Sequence, residues 1–214
     1  MKGGNEMKKW LIMILLLMPV LTGCRGFCQE NVDDKPVIYL YPEEETAVSV
    51  KLDYAGTLTA TYPAYHDGWN VIAQPDGTLT DSVTGRQYYC LFWEGTSDTQ
   101  YDFSQGFVVP GVESATFLEW ALEAQGLTER EANEFIVFWL PKLEGNDYNL
   151  ISFQQEYYTK AAKLTVEPKP DTVIRVFMAF KALKEPVDVP EQELTAMKRS
   201  GFTLVEWGGC EVAE

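Results

Sequence analysis

The sequence has little of the material from which zinc centres, histidine-based active sites and nucleic-acid-binding surfaces are built. One histidine and four cysteines occur among 214 residues, too few to favour zinc or histidine chemistry. Lysine and arginine number 17 against 32 acidic residues, so the formal net charge is −15 and no nucleic-acid partner is expected. We predict no metal and no cofactor. Hydrophobic residues still make up 46% of the chain, which excludes a disordered protein and suffices for a packed core.

No apolar run in the sequence is long enough to span a membrane as a helix. The longest covers residues 10–20 and follows Lys8 and Lys9. At ~1.5 Å per residue this run cannot cross a hydrocarbon core of ~30 Å, so it indicates the apolar region of a signal peptide. It leads into LTGC at residues 21–24, which resembles a bacterial lipobox. The resemblance implies cleavage before Cys24 and fatty-acyl attachment there; the alternative is an ordinary secretory signal that happens to contain a cysteine.

These features predict a division of the chain into three parts. Residues 1–23 form the signal peptide, residues 24–34 a lipidated tether and residues 35–214 one globular domain. The lipid on Cys24 would hold the protein on the extracytoplasmic face of the cell membrane. Cleavage removes three lysines and one glutamate, which leaves a net charge of −17 and favours a domain that stands off from an anionic bilayer. The codons implied before Met7 resemble a ribosome-binding site, so we expect Met7 to be the initiator.

The exported part has the pattern of a β-rich fold. Strand-like runs recur about every ten residues and are separated by turns rich in glycine, aspartate and proline. The first group covers residues 37–41, 47–52, 57–62, 69–74 and 87–93, and the second covers residues 148–153, 163–166, 172–180 and 202–207. The run at 172–180 is apolar on both faces and is therefore placed centrally. The predicted class is α+β, a mainly antiparallel sheet or sandwich in one domain, with a second lobe from Gly111 as the alternative.

A short helical insert is predicted near residues 114–135. TFLE at 116–119 resembles a capping box that opens one helix, and Gly126 is placed to end it. TERE at 128–131 offers a second capping box for a short helix. The dense apolar run at 136–140, followed by proline, is interpreted as a buried strand.

Several strings along the chain resemble an uncharacterised group of bacterial lipoproteins that is common in anaerobic Gram-positive bacteria. They are KPVIYLYP (35–42), GWNV (68–71), LFWEG (91–95), GFVVPG (106–111), EFIVFWLPK (134–142), KPDTVIRVFM (169–178) and VEWGG (205–209). The resemblance spans nearly the whole exported part. It implies a shared fold and a shared compartment, and it supplies no catalytic residue.

Two glutamates at predicted strand ends are candidate site residues. The period of two in a strand places Glu94 on the face of Phe92 and Glu206 on the face of Leu204. Arg175 alternates with apolar residues in the run at 172–180, so its guanidinium needs a carboxylate partner, which either glutamate could supply.

This arrangement has a structural and a functional interpretation. The structural one is a buried ion pair, or strand ends that reach water. The functional one is a carboxylate pair, Glu94 and Glu206, flanked by the rings of Trp93 and Trp207, as in a sugar-binding or glycosidase cleft. Trp93 and Trp207 are therefore the candidate ligand-binding residues.

The other reactive side chains carry weaker predictions. His66 lies in a turn beside an Asp-Gly pair and without a nucleophile motif, which favours a solvated turn residue. Of the three thiols left after lipidation, Cys90 and Cys210 are the better candidates for a disulfide, which would stabilise by ~4 to 5 kcal/mol in the chain-entropy model. A buried free thiol at Cys90 is the alternative.

The sequence therefore favours a lipid-anchored extracytoplasmic binding or envelope-associated module without catalysis. The expected partners are the membrane, through the lipid on Cys24, and a glycan or an envelope protein. The alternative is a hydrolase that acts on glycans through Glu94 and Glu206. A structural accessory of an envelope complex is a third hypothesis.

Overall fold

A seven-stranded sheet runs through the middle of the molecule, with two helices on one face and a five-stranded sheet on the other. The computed structural model describes residues 31–212. The strands are β1 Asn31–Tyr41, β2 Thr46–Tyr54, β3 Thr57–Tyr62, β4 Trp69–Ala73, β5 Leu79–Asp81, β6 Gln87–Tyr88, β7 Leu91–Ser97, β8 Phe107–Pro110, β9 Tyr148–Phe153, β10 Ala162–Glu167, β11 Thr172–Leu183 and β12 Thr203–Glu211. The helices are α1 Ser114–Ala124, α2 Glu129–Leu143 and α3 Gln155–Ala161.

Both sheets combine strands from distant parts of the chain. The strand order is β3-β7-β1-β12-β11-β9-β8 in the larger sheet and β10-β2-β4-β5-β6 in the smaller one. All of these pairs are antiparallel except β11 with β12. The predicted α+β class with a mainly antiparallel sandwich is confirmed. The pairing of β1 with β12 joins the first and last described strands in the middle of the same sheet.

Alternate side chains of the larger sheet enter two separate cores. In β1, Val37 and Tyr39 face α1 and α2, whereas Ile38 and Leu40 face the five-stranded sheet. A strand covered on both faces must be apolar at successive positions. The run at 172–180 has this pattern, and it lies inside the sheet as part of β11, as predicted.

The predicted buried strand at 136–140 is instead part of α2. That prediction was wrong because the buried residues follow a helical period: Phe135 and Trp139 are fully buried, while Val137 is 77% exposed. The predicted strand would have ended at Pro141, but this proline lies in the last turn of α2. Within residues 31–212, the structure contains no helix with the length and hydropathy needed to span a bilayer.

One of the two predicted capping boxes is present. The Thr128 hydroxyl accepts the Glu131 N–H at 3.4 Å, and the Glu131 carboxylate accepts the Thr128 N–H at 2.8 Å. The other prediction was wrong, because α1 begins at Ser114 and Thr116 lies inside the helix. Gly126 follows α1 with a φ of 87°, as expected for a residue that ends a helix.

The globular domain begins four residues earlier than predicted. Residues 31–34 belong to β1 rather than to a tether, and Asn31 and Asp33 are buried while Val32 is 45% exposed. The prediction failed because polar residues face inward here and the apolar one faces outward, the reverse of the usual strand pattern. The predicted signal peptide, Cys24 and the rest of the tether lie outside the described residues.

Other boundaries also differ from prediction. The run at 87–93 forms two strands in different sheets, β6 and β7, and β5, β8 and α3 were not predicted. The segment at 184–202 connects the parallel strands β11 and β12 without regular secondary structure. It contacts the rest of the domain through Pro190, whose carbonyl accepts the Gly106 N–H, and through Gln192, whose amide bonds both backbone groups of Phe153.

Candidate functional site

Glu206 and Arg175 form an ion pair between the two sheets. They lie opposite each other in the register of β12 and β11, and the Arg175 Nε donates to the Glu206 Oε2. Glu206 is 0% exposed and also accepts the Trp93 Nε1–H at 3.3 Å. The second guanidinium arm donates to the Ala162 carbonyl at 2.7 Å. Glu206 therefore supplies the carboxylate that Arg175 requires.

Glu94 lies on the opposite face of the same sheet. Its strand neighbour Phe92 packs in the helix-facing core, whereas Leu204, on the face of Glu206, packs in the core between the sheets. Glu94 is half-exposed, and partial burial raises the pKa of its carboxyl. Glu94 and Glu206 thus lie on opposite faces of the sheet and do not form the carboxylate pair that the glycosidase alternative requires.

A second carboxylate lies in the interior near Glu206 and was not predicted. Asp33 is 0% exposed and accepts the Tyr54 hydroxyl at 2.7 Å and the Tyr101 hydroxyl at 2.6 Å. Burial raises the pKa of Asp33, while these two hydrogen bonds oppose the change. The site could not be predicted because its residues come from three separate segments.

Aromatic rings pack around the ion pair of Arg175 and Glu206. Tyr158 lies parallel to Trp93, with 6.3 Å between ring centroids, and parallel to Phe177 at 4.1 Å. The Arg175 guanidinium lies 4.7 Å from the Tyr158 ring centroid. Trp93 is 0% exposed, so it is a core residue here and does not present a face to a ligand.

A groove lies on the surface between β1 and α2, and we call it the tyrosine groove. It consists of two adjoining cavities of about 550 and 450 Å³ that share Tyr39, Tyr89, Arg130 and Glu134 as a common wall. The first cavity is also lined by Lys35, Val37, Asn133, Val137, Phe138 and Trp207. The second is also lined by Tyr41, Asp76, Gly77, Thr78, Thr128, Glu131 and Arg199. Trp207, the other predicted ligand-binding residue, borders the first cavity but is 1% exposed and belongs to the core, as Trp93 does.

Three tyrosine rings form the floor and one side of the groove. Tyr39 and Tyr41 are two residues apart on β1 and stack with an interplanar angle of 3° and 6.2 Å between centroids. Tyr89 lies 6.5 Å from Tyr39 and is 54% exposed. At the other end, the Trp207 Nε1 is buried without a hydrogen-bond partner among the described residues.

Four of the six charged side chains that line the groove form two ion pairs. The other two, Lys35 and Asp76, carry opposite charges and lie in different cavities of the groove. Glu134 accepts the Tyr39 hydroxyl at 2.6 Å and pairs with Arg130 at 3.4 Å. Glu131 pairs with Arg199 at the opposite end. Burial, reinforced by the Glu134 carboxylate, raises the pKa of Tyr39, so its hydroxyl stays protonated and continues to donate.

At the first end of the groove, β1 has a bulge. The register shifts between Asp34 and Val37, and Lys35 has a φ of 60° in the left-handed region. The bulge places the Lys35 ammonium 5.4 Å from the Phe138 ring centroid, at the rim of the groove. The local strain thus positions a cation against an aromatic ring.

Another large cavity, of about 690 Å³, lies on a different part of the surface. We call it the amide cavity, because its lining includes four glutamines, Gln105, Gln154, Gln155 and Gln192. The Gln154 side chain bonds both backbone groups of Asp102, and Gln192 bonds Phe153. These amides hold loops in place, and the exposed Tyr157 lies at the edge.

The other residues singled out in the sequence, Cys90, Cys210 and His66, form no pair with one another. Cys90 and Cys210 are free thiols in different cores, so the expected disulfide between them is not formed and the free-thiol alternative for Cys90 is correct. Burial raises the pKa of Cys90 to about 11. His66 is exposed in the turn before β4.

The groove was not predicted because the sequence does not show that β1 and α2 lie side by side. Tyr39 and Tyr89 are recognisable as aromatic residues, but their approach to α2 depends on the helix continuing through residues 136–140. A signal was present in Arg130 and Glu134, which have the i, i+4 spacing of one helix face just after the capping box.

Comparison with known proteins gives a relative of unknown role. No protein-family model matches the chain, and no solved structure matches it. A curated protein of Butyrivibrio fibrisolvens, named "Uncharacterized protein in bglA 3'region", is 45% identical over 89 residues, which is 39% of this chain and 91% of that protein. The chain belongs to the same family as this uncharacterised protein.

Proposed function

We propose that the protein is a non-catalytic binding module, held on the extracytoplasmic face of the cell membrane by a lipid on Cys24, and that it binds its ligand in the tyrosine groove. The observation that carries the proposal is the groove itself. Two adjoining cavities share one wall of two tyrosines and a charge pair, on a surface made by the middle of β1 and the first half of α2.

The lipid anchor is supported by the sequence that precedes the domain. A basic start, an apolar run of residues 10–20 and the LTGC string follow one another in the order of a lipoprotein signal. Only residues 25–30 then separate Cys24 from the first residue of β1. Fully extended, six residues reach at most ~22 Å, so the anchor would keep the domain close to the bilayer.

The direction of β1 supports display of the groove. The strand runs from Asn31, on the anchor side, to Tyr41, and the groove follows its second half from Lys35 onward. A strand rises ~3.3 Å per residue, so Tyr41 lies about 30 Å from the point where the anchor enters the domain. The groove would therefore lie on the part of the domain that is farther from the membrane.

Binding without catalysis is supported by the state of the groove's reactive groups. Both carboxylates of the helix wall are engaged, Glu134 by Tyr39 and Arg130, and Glu131 by Arg199 and the Thr128 backbone. A nucleophile or general base needs a free lone pair directed at the substrate. The neighbouring Cys90 thiol is buried and has a raised pKa of about 11, which disfavours the thiolate.

Two measurements test this function. Metabolic labelling with an alkyne palmitate should mark the chain, and Cys24→Ala should abolish both the label and recovery in the membrane fraction. For the groove, Tyr89 should be nitrated by tetranitromethane in the isolated protein and protected by an envelope extract of the producing bacterium. Absence of label would overturn the anchor. Unchanged Tyr89 nitration with every envelope fraction would overturn the groove as the binding site.

A further inference from the structure

We infer that the ligand of the tyrosine groove is a neutral glycan. This inference rests on the proposed function, because it assigns a chemical class to the ligand of that groove. Three features carry it: the balance of charges in the groove lining, the accessible rings of Tyr41, Tyr89 and Phe138, and the pairing of most of β1 on both sides. The first argues against an ionic ligand, the second supports a sugar, and the third argues against a peptide bound as an added strand.

The charge pairs argue against an ionic ligand. Both guanidinium groups that line the groove already face a carboxylate, Arg130 with Glu134 and Arg199 with Glu131. An anionic ligand would have to compete with these carboxylates, and a cationic one with the guanidinium groups, which is costly at the largely buried Arg199–Glu131 pair. The two unpaired groups of the lining, Lys35 and Asp76, carry opposite charges, so the lining has no net charge. A nucleotide or a phosphorylated lipid is therefore disfavoured, and a ligand without net charge fits the groove.

The aromatic rings provide faces for apolar contact. Tyr89 is 54% exposed, and Tyr41 and Phe138 are half-buried at the two ends of the groove. Sugar rings carry C–H groups on their faces and hydroxyls at their edges, so a ring face packs on an aromatic plane while its edges remain available for hydrogen bonds. Tyr39 is 4% exposed and stacks on Tyr41 from the core side, so the accessible rings are those of Tyr41, Tyr89 and Phe138. Their spread along the two cavities suits a chain of such units rather than a single sugar.

The polar side chains around these rings can form hydrogen bonds with the hydroxyls at the edge of a sugar ring. Arg130 uses one of its five N–H donors on Glu134, and the exposed Asn133 adds an amide that both donates and accepts. Thr78 and Thr128 add hydroxyls at the second end of the groove. A hydroxyl is itself both donor and acceptor, and mixed guanidinium, amide and carboxylate sets satisfy both roles.

The position of β1 in the sheet argues against a peptide bound as an added strand. Such binding needs an unpaired strand edge, because backbone hydrogen bonds supply the affinity. β1 is hydrogen-bonded to β12 as far as Tyr41 and to β7 as far as Ile38. Only the last three residues of the strand lie beyond the β7 ladder, so the groove floor offers mainly side chains and little free edge for an added strand. A ligand recognised through its own ring faces and hydroxyls fits this floor better than an extended polypeptide.

The test combines chemical removal of glycans with a matched pair of tyrosine variants. The mature lipidated protein is purified in a detergent without a sugar headgroup, and Tyr89 nitration is measured with envelope extract before and after periodate, which cleaves vicinal diols. We expect periodate to abolish the protection and protease treatment of the extract to leave it intact. Protection that survives periodate would overturn the glycan assignment while leaving the groove as the binding site.

Purified neutral oligosaccharides of glucose, xylose, mannose and N-acetylglucosamine then identify the sugar by tryptophan fluorescence titration. For the sugar that binds, Tyr89→Ala should weaken affinity by up to about tenfold, since a ring contact contributes at most about 1.5 kcal/mol. Tyr157→Ala removes a comparably exposed ring at the amide cavity and should leave affinity unchanged. Loss of binding in Tyr157→Ala with full binding in Tyr89→Ala would overturn the assignment of the glycan to the tyrosine groove.

Discussion

Arg175 of β11 and Glu206 of β12 lie directly opposite each other in the parallel strand pair of the larger sheet, and their ion pair is buried between the two sheets. Replacing Arg175 with methionine keeps much of its volume but leaves the Glu206 carboxylate buried and unpaired. We expect Arg175→Met to lower the free energy of unfolding by about 3 to 5 kcal/mol. Denaturant titration of the full chain measures this change.

The double variant Arg175→Met, Glu206→Leu removes both charges and should regain most of that loss, because the desolvation of the carboxylate disappears with it. Glu94→Gln is the control for the second strand-end glutamate. Its side chain is half-exposed, so the free energy of unfolding should change by less than about 0.5 kcal/mol. Equal losses in Glu94→Gln and Arg175→Met would contradict the structural role assigned to the pair.

Asp33 should make the stability of the fold depend on pH. Burial raises its pKa above the ordinary value of 3.8, so between these two values the folded chain binds a proton that the unfolded chain releases. Asp33 therefore contributes stability below pH 3.8 that is lost as the pH rises through the folded pKa. In Asp33→Asn this loss is absent. The free energy of unfolding of the variant, relative to the wild type, should rise with pH across that window.

The test is denaturant unfolding of both proteins at a series of pH values from about 3.5 upward. Two curves that stay parallel would show that the carboxyl titrates alike in the folded and unfolded states. Tyr54→Phe removes one hydrogen bond to the carboxylate and should raise the folded pKa of Asp33 further, so its window of pH dependence should widen.

Gly209 of β12 lies against the Trp139 ring of α2. A Cβ at this position would lie 2.6 Å from both the Met178 carbonyl oxygen and the Trp139 ring. We expect Gly209→Ala to destabilise the fold by about 1 to 3 kcal/mol through overpacking. Gly145→Ala is the control, because nothing lies within 4 Å of its Cβ position. Thermal unfolding that is identical for the two variants would contradict the contact.

Cys90 should behave as an inert thiol. With a pKa of about 11 instead of the ordinary 9.0, its thiolate fraction near pH 8 is lower by about a hundredfold. Iodoacetamide should label it slowly in the folded protein and rapidly in urea, with Cys90→Ser identifying the labelled site. Dithiothreitol should leave the unfolding temperature unchanged. A fall on reduction would instead indicate that a disulfide stabilises the domain.

Local patterns in the sequence predicted much of the fold. Alternation along residues 46–54 and the apolar run at 172–180 are properties of single strands, and both strands formed where expected. The Thr128 capping box succeeded because its four residues also supply both partners of its hydrogen bonds. Thr116 has the same spacing to Glu119, but tertiary packing starts α1 earlier and places it inside the helix.

The candidate site could not be predicted in the same way, because it depends on pairings between distant strands. Strand alternation correctly placed Glu94 on the face of Phe92 and Glu206 on the face of Leu204. Whether these two faces lie on the same side of the sheet depends on the register of β1 with β7 and β12, which the sequence does not show. The same limit applies to Asp33. A polar residue facing inward is intelligible only once Tyr54 and Tyr101 are placed beside it.

The position of β1 also has a mechanical consequence. Under the proposed anchoring, any tension on the lipid enters the domain at Asn31 and is directed along β1. This strand is bonded to β7 and β12, and antiparallel hydrogen bonds lie perpendicular to the strand axis. Tension along the strand therefore loads these bonds together, in shear, instead of opening them one after another. The proposed anchor would therefore attach the domain to the membrane through a strand that is suited to bear a pull.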